Sequence, residues 1–261
     1  MERLCKILFE LSSSERMRVM LEIQKQRLKL SHISRKLDLT VTEASRHLQR
    51  LSEARLIQKG VDGLYGLTPF GVLVLALLSG LGFVSKYRDY FMEYDVSRIP
   101  YEFIDRIGEL AEGGLGAETF KNIEETEKMF REARKYIWIL SDQVLMSAAP
   151  IVGEKVKSAL EYRVILPEAA MPPDHKSPIP STTPGVQKRV LPKVEVVIVM
   201  TEKVAAFCLP NRTGRIDYTG FGGNDPKFHK WCKDLYQHYW EKAKPITSVA
   251  LDNVKFNRSG E

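Results

Sequence analysis

Apolar residues recur at helical spacing over the first fifty positions. Leu4, Ile7, Leu8 and Leu11 are separated by three, one and three residues, which predicts a helix over Glu2 to Leu11 with that face inward. Ser12, with Glu15 three residues on, has the form of a capping box. It opens a second helix, running to about Gln26, with Met17, Met20, Leu21 and Ile23 on its inner side. Leu30, Ile33 and Leu37 mark a third helix, and Asp38-Leu39-Thr40 a turn. The fourth helix starts at Thr40 or Thr42, either of which can cap it. Val41, Ala44, Leu48 and Leu51 form its inner face. Two short β runs then flank Gly60-Val61-Asp62-Gly63, the pattern of a hairpin with an Asp-Gly turn.

The periodicity changes after the hairpin. Phe70 to Val84 is apolar almost throughout, and the pattern predicts a helix from Pro69 to about Tyr94. A membrane span needs about 20 apolar residues. This run is shorter and ends at Lys86-Tyr87-Arg88-Asp89, so burial between protomers or between two parts of the protein is expected. Further on, helices are expected from Pro100, over Glu118 to Lys135, over Ile151 to Leu160 and over Pro226 to Ala243, the last rich in aromatic residues. Strands are expected at Tyr136–Leu140, Tyr162–Leu166, Val194–Met200 and Val204–Leu209, with Gly113 to Gly116 as a break. Pro167 to Pro192, with seven prolines, reads as a long surface loop of the kind that serves as a lid. The whole reads as α+β: residues 1–68 as one module, 69–94 as a linking and dimerisation helix, 95–245 as an α/β layer domain and 246–261 as a tail.

Charge separates these modules. Residues 1–60 hold 13 Lys and Arg against 7 Asp and Glu, the whole net charge of +6; the other residues balance at 26 against 26. A basic module on a neutral body is the pattern of a DNA-binding head on a body with another task. At 100° per residue, the face of the fourth helix opposite its apolar side carries Thr42, Glu43, Arg46, Gln49 and Arg50. Arg can fork onto guanine and Gln can pair with adenine, while Thr and Ser reach phosphate. Arg46, Gln49 and Arg50 are therefore expected to read bases of double-stranded DNA. Thr42 and Ser45 would position the helix, and Lys59, near the hairpin tip, would meet the backbone. Three cysteines far apart in sequence (Cys5, Cys208, Cys232) suit a reducing cytoplasm and give no metal-ligand pair; Cys5 is expected in the core. No secretory leader pattern opens the chain, so export is not expected.

Helix, helix, helix-turn-helix and hairpin together describe a winged helix. Ala44-Ser45-Arg46-His47-Leu48-Gln49-Arg50-Leu51, followed by Glu53-Ala54-Arg55-Leu56-Ile57, resembles the recognition helix and wing entry of ArsR-like winged-helix regulators. The glycine usual before that leucine is Arg55 here, and the cysteine motif of the metal sensors is missing, so metal sensing is not implied. The body resembles the sensor domain of archaeal regulators described in methanogens and, more distantly, TrmB-type regulators. The residues that carry this likeness are Ile99-Pro100, Arg106 to Leu110, Tyr136 to Ser141, Gly214 to Tyr218, Phe221, Asp225 and Trp231 to Trp240. The resemblance implies a phospholipase-D-like fold without its chemistry.

That chemistry needs His-x-Lys-x4-Asp. In the nearest match, His229 and Lys230 are adjacent and Asp234 is four beyond the lysine; His175-Lys176 has no following Asp. No P-loop, Gly-x-Ser-x-Gly or His-Glu-x-x-His occurs. Asp142 and Gln143, after the first body strand, are placed either to bind a ligand at a strand's carboxyl end or to cap a helix. The expectation is a cytoplasmic, homodimeric, DNA-binding transcription regulator, with no cofactor or metal, whose body senses a small-molecule effector or a partner. The alternatives are a phosphodiesterase or nuclease on the body, or a regulator tethered to a membrane by Phe70 to Val84.

Overall fold

The computed structural model describes residues 1–172, 177 and 179–246. They form two compact units that divide between Ser79 and Gly80. His175 and Lys176, and all of the expected tail but its first residue, lie outside the described residues.

The first unit begins with α1 (Glu2–Leu11), α2 (Ser14–Lys25), α3 (Leu30–Leu37) and α4 (Val41–Glu53). A hairpin of β1 (Ile57–Lys59) and β2 (Tyr65–Leu67) follows, paired antiparallel with Gln58 opposite Gly66. Leu28 adds a bridge to Tyr65, so the segment between α2 and α3 lies against the hairpin. Val19, Met20, Ile23, Ile33, Leu37, Ala44, Leu48, Leu51, Leu56 and Ile57 form the core. Two expectations change here. Leu21 lies outside and Val19 inside, because α2 is rotated toward Arg16 and Val19. On α1 only Leu11 is buried; Leu4, Leu8, Phe9 and Cys5 are exposed, so that face has no cover within the unit.

Thr40, not Thr42, caps α4. Its hydroxyl accepts from Glu43 N (3.2 Å) while Glu43 accepts from Thr40 N (2.9 Å), a complete capping box. At the other end Arg55 N donates to Ser52 O and Leu56 N to Leu51 O, which is a Schellman closure. The residue at its left-handed position is Arg55, with φ of 60°. A non-glycine residue there is strained by about 1–2 kcal/mol. Thr68 completes the junction: its hydroxyl donates to Arg55 O (2.6 Å) and accepts from Gly71 N (2.9 Å). Gly71 lies against the Leu56 carbonyl, and a Cβ would collide with it.

The helix expected over residues 69–94 is two: α5 (Pro69–Lys86) and α6 (Arg88–Glu93), broken at Tyr87. The boundary between the units falls within α5. Leu75 joins the first unit's core and Phe83 the second's. Phe70, Val72, Leu73, Leu77 and Leu81 are exposed, Leu77 at 81%. By length and composition alone this helix could cross a membrane.

The second unit is built on an eight-stranded sheet. Its strands are β3 (Gly114–Gly116), β4 (Tyr136–Leu140), β5 (Glu161–Pro167), β6 (Val186–Leu191), β7 (Val197–Thr201), β8 (Ala205–Cys208), β9 (Gly220–Gly223) and β10 (Lys244–Pro245), in the order β10-β6-β5-β4-β7-β8-β9-β3. β4, β5 and β6 run parallel; the remaining pairs are antiparallel. The stretch expected as one long loop contains β6, and the glycine break contains β3. Neither carries the alternation or bulk of a free-standing strand, and pairing on the sheet supplies what local preference lacks. The helix expected from Pro100 is only α7 (Tyr101–Ile104) and a 3-10 turn, Ile107–Leu110.

α8 (Thr119–Glu132) and α9 (Ala149–Lys157) pack with the sheet's Ile137, Val164, Val197 and Val199 in one cluster. On the opposite side α10 (Pro226–Lys242) buries Phe228, Trp231, Cys232, Leu235, Tyr236 and Trp240 against Trp138, Leu140, Ile165, Ile198 and Phe207. Trp231 is fully buried and donates from Nε1 to Phe103 O (3.1 Å). Trp231→Ala is expected to cost about 3–5 kcal/mol, by cavity formation and by an orphaned carbonyl. Chemical denaturation followed through the second unit's transition measures it.

Candidate functional site

α4 carries the densest set of candidate residues. Its inner positions Ala44, Leu48 and Leu51 are buried, which fixes the helix rotation and turns Thr42, Ser45, Arg46 and Gln49 to solvent. Arg46 is exposed and has no ion pair among the described residues. Gln49 donates from Nε2 to Glu53 Oε1 (2.9 Å), an exchangeable surface bond. Lys59 is exposed on β1, with its Nζ 5.7 Å from the Tyr65 ring centre.

Arg50 is placed differently from its neighbours. Nε and Nη2 donate to the two oxygens of Glu10 at 3.0 and 2.7 Å, and the guanidinium lies over Phe9 at 5.3 Å. The Glu10 hydrogen bonds hold Arg50 more firmly protonated than usual. Glu10 also pairs with buried Arg16 (3.2 Å), whose guanidinium donates to the carbonyls of Glu10 and Phe9. One carboxylate on α1 thus ties α2 and α4. Arg50, grouped with Arg46 on the periodicity of the helix, is a structural clamp here. The signal that separates them is Glu10, forty residues away, and helical period alone does not reveal it.

His47 lies on the inner side of α4, 8% exposed, with Nδ1 lacking a partner. Burial first, then the positive charges of Arg46 and Arg16, lower its pKa below the ordinary 6.5. Arg55 is a further exposed cation, at the strained position that closes α4. Its sequence signal was an arginine at a helix end where glycine is usual.

In the second unit Asp142 and Gln143 follow β4. Neither caps a helix among the described residues: they meet Tyr218. Its hydroxyl donates to Asp142 Oδ1 (2.8 Å) and accepts from Gln143 Nε2 (2.5 Å). Tyr218 has φ of 63°, one of four non-glycine residues in the left-handed region among the described residues, with Asp38, Arg55 and Ala159. Burial, then Asp142, raises its pKa, so the hydroxyl stays protonated. Gln143 and Tyr218 line a cavity of about 530 Å³ between the sheet and the α8–α9 layer. His229, from the nearest phosphodiesterase-like triplet, has Nε2 2.7 Å from Thr201 O. Lys230 pairs with Asp234 (2.5 Å), which Arg106 also holds (2.7 Å). The triplet's charged members are therefore engaged with one another and with Arg106. Among the described residues no group of His, Cys, Asp or Glu is arranged to hold a metal.

No family profile matches this sequence, and no curated protein matches it significantly. Solved structures show distant likeness. TrmBL2, an archaeal chromatin protein whose structure shows a novel mode of DNA binding, aligns over 90% of this chain and 94% of its own, at 15% identity and a TM-score of 0.45. NucT from Helicobacter pylori aligns over 51% of this chain and 98% of its own, at 11% identity and 0.42. A phospholipase D family member, Nuc from Salmonella typhimurium, aligns over 47% and 89%, at 10% identity and 0.36. These likenesses are too distant to transfer a function.

The state of His47 sets a pH dependence. With the folded pKa below the unfolded one, its contribution is fully present above about pH 6.5 and is lost as pH falls toward the folded value. The first unit's melting temperature is expected to drop between pH 7 and pH 5. His47→Leu should flatten that slope, as calorimetry at a series of pH values would show.

Proposed function

We propose that the chain is a homodimeric, DNA-binding transcription regulator, with a winged-helix head in its first unit and a small-molecule sensor in its second. The observation that carries this reading is α4: buried on one side, it presents Thr42, Ser45, Arg46 and Gln49 together on the unit whose first sixty residues hold 13 Lys and Arg against 7 Asp and Glu. A helix of that surface chemistry fits the major groove, and Lys59 on the hairpin suits a phosphate. Arg50 is reassigned from base reading to holding the helix. Arg55 joins the contact set: a strained arginine in a basic module is better explained by a phosphate partner than by stability.

Homodimerisation answers a second observation. The exposed apolar residues of α5 in the first unit, with Leu73 and Leu77 spaced by four, form a stripe that this unit leaves uncovered. Two copies covering each other along it bury the stripe and set two heads on two half-sites. The membrane reading would leave Leu75 and Phe83, which belong to protein cores, at odds with a lipid-facing helix.

The variants separate the roles. DNA selected from a random pool supplies the site. On it, Arg46→Ala is expected to weaken binding at least tenfold with no change in melting temperature. Arg50→Ala should lower the melting temperature, with affinity falling only as far as folding does. Arg55→Gly should stabilise the head by about 0.5–1 kcal/mol, since glycine relieves the strain but gains unfolded-state freedom. It should also reduce the salt dependence of binding by about one phosphate contact. Wild-type affinity in Arg46→Ala would overturn the assignment of α4. For the dimer, Leu73→Glu with Leu77→Glu is expected to yield monomers in sedimentation equilibrium, and binding to a two-half-site DNA should weaken at least tenfold.

A further inference from the structure

We propose that the cavity on the α8–α9 side of the body sheet binds an uncharged, mostly apolar small molecule carrying one hydrogen-bonding group at its end. This deepens the sensor half of the proposed function and rests on it only for its regulatory meaning.

The space has a traceable cause. A strand turns alternate residues to opposite faces. On three neighbouring strands the positions turned to the cavity are Gly114 and Gly116 of β3, Gly220 and Gly222 of β9, and Ala206 of β8, registered as Gly114–Gly222, Gly116–Gly220 and Ala206–Gly222. Cys208 of β8, opposite Gly220, shares this face and Asn122 sits over Gly116; apart from these, nothing longer than a methyl group rises from the patch. The other strands bring Ile139, Val164 and Val199 to the same face, and α8 and α9 cover it with Met129 and Val152. Protein interiors are normally filled to crystal-like density, and an apolar void that stays open takes apolar guests. About 530 Å³ lies within the roughly 300–1,000 Å³ of small-molecule sites.

Glu125, Lys128 and Glu132 of α8 and Lys188 of β6 also belong to the lining, and three neutral polar side chains are gathered at one end. Leu140 pairs with Ile198, Val197 with Cys208, and Cys208 with Gly220, so the carboxyl end of β4 and the start of β9 share one edge of the sheet. Ser141, Gln143 and Tyr218 line the cavity at that edge, where parallel strands present ligand sites. Asn122 fixes the rim by donating to the carbonyls of Gly116 and Tyr218, both at 2.9 Å. Tyr218 is held in its left-handed conformation by these bonds, an arrangement that aims its hydroxyl at Asp142 and Gln143.

The same edge selects the charge of the guest. Asp142 lies directly behind Tyr218 and repels an anionic head, while the aliphatic walls make any unpaired charge costly. The buried cation of the cavity, Lys188, sits on β6 opposite Val164, toward the middle of the strands, and donates to Ser177 (2.8 Å). A neutral hydroxyl, amide or ketone is what Ser141, Gln143 and Tyr218 can satisfy at the edge.

Titration calorimetry of the full chain with 1-octanol, with octanoate at pH 7.5 and with glucose tests the proposal. Octanol is expected to saturate one site per chain with a negative heat-capacity change. Octanoate should bind at least tenfold more weakly, and glucose should give no heat of binding. A Cβ at Gly222 meets only the Ala205 carbonyl at 3.8 Å, and one at Gly114 meets nothing within 4 Å. Gly222→Leu and Gly114→Leu therefore extend into the space. Each should cut octanol affinity at least tenfold while the ligand-free melting temperature holds or rises, and the edge-strand Gly114 variant keeps the test intact if Gly222→Leu fails to fold. Absence of saturable octanol binding, or binding unchanged in a folded glycine variant, would overturn the site. Octanoate binding more tightly than octanol would overturn the uncharged head. The DNA-binding reading is judged separately by Arg46→Ala, so the two failures are distinguishable.

Discussion

The two-residue period of β4 governs the second unit. Trp138 and Leu140 turn to one face, Ile137, Ile139 and Ser141 to the other, and every neighbouring strand must keep that register or send its apolar residues to the wrong side. The faces are treated unequally. One meets α10, whose aromatic side chains close over Trp138 and Phe207. The other meets two shorter helices and, near β3 and β9, a run of glycines. An aromatic layer makes one side of the sheet rigid, and a lack of side chains leaves the other able to admit a guest. The asymmetry explains why the candidate ligand residues Asp142 and Gln143 end up beside a cavity: they follow the strand on its open side.

The first unit depends on a smaller device. Glu10 holds Arg16 and Arg50 together, so a carboxylate and two guanidiniums join α1, α2 and α4. A partly buried pair of this kind gains from forked geometry and loses to desolvation. Its worth here is orientation: with Arg50 fixed, the rotation of α4 is set from the polar side as well as by Leu48 and Leu51, and Arg46 keeps a defined direction outward. Leu4, Leu8 and Phe9 of α1 stay exposed, while Leu11 packs in the core and Glu10 holds the two arginines.

Legibility followed the range of the forces involved. α2, α3, α4 and the hairpin were visible in residue spacing because their patterns are local: Ala44, Leu48 and Leu51 recur at helical intervals, and Gly60 to Gly63 announce a turn. Four sheet strands were visible from β-branched and aromatic runs such as Tyr136–Leu140. β3, β6, β9 and β10 were not: Gly114–Gly116 and Gly220–Gly223 contain little but glycine and become strands only by pairing with each other and with β8, while β6 and the two-residue β10 are set by pairing with β5 and with each other. Site residues divide the same way. Thr42, Ser45, Arg46 and Gln49 were read correctly as a surface because helical geometry alone puts them there. The pairing of Arg50 was not legible because Glu10 is forty residues away, and Tyr218 was missed because nothing local marks a tyrosine bent into a left-handed turn.

The two proposals make a demand on each other that limits how regulation can work. A ligand shifts binding at a distant site only by the difference in its affinity for two states. In a well-packed core, filling a void adds stability to a single state and changes nothing elsewhere. Here the bare patch lies under α8 through Met129 and Asn122, and Asn122 also carries the Tyr218 turn. A guest that spreads α8 from β3 and β9 strains the bonds of Asn122, while one that fits under them reinforces the turn. The rim is thus the place where occupancy becomes a change of shape. A regulator built this way answers to the fit at Asn122 and Tyr218 more than to the total apolar area its ligand buries.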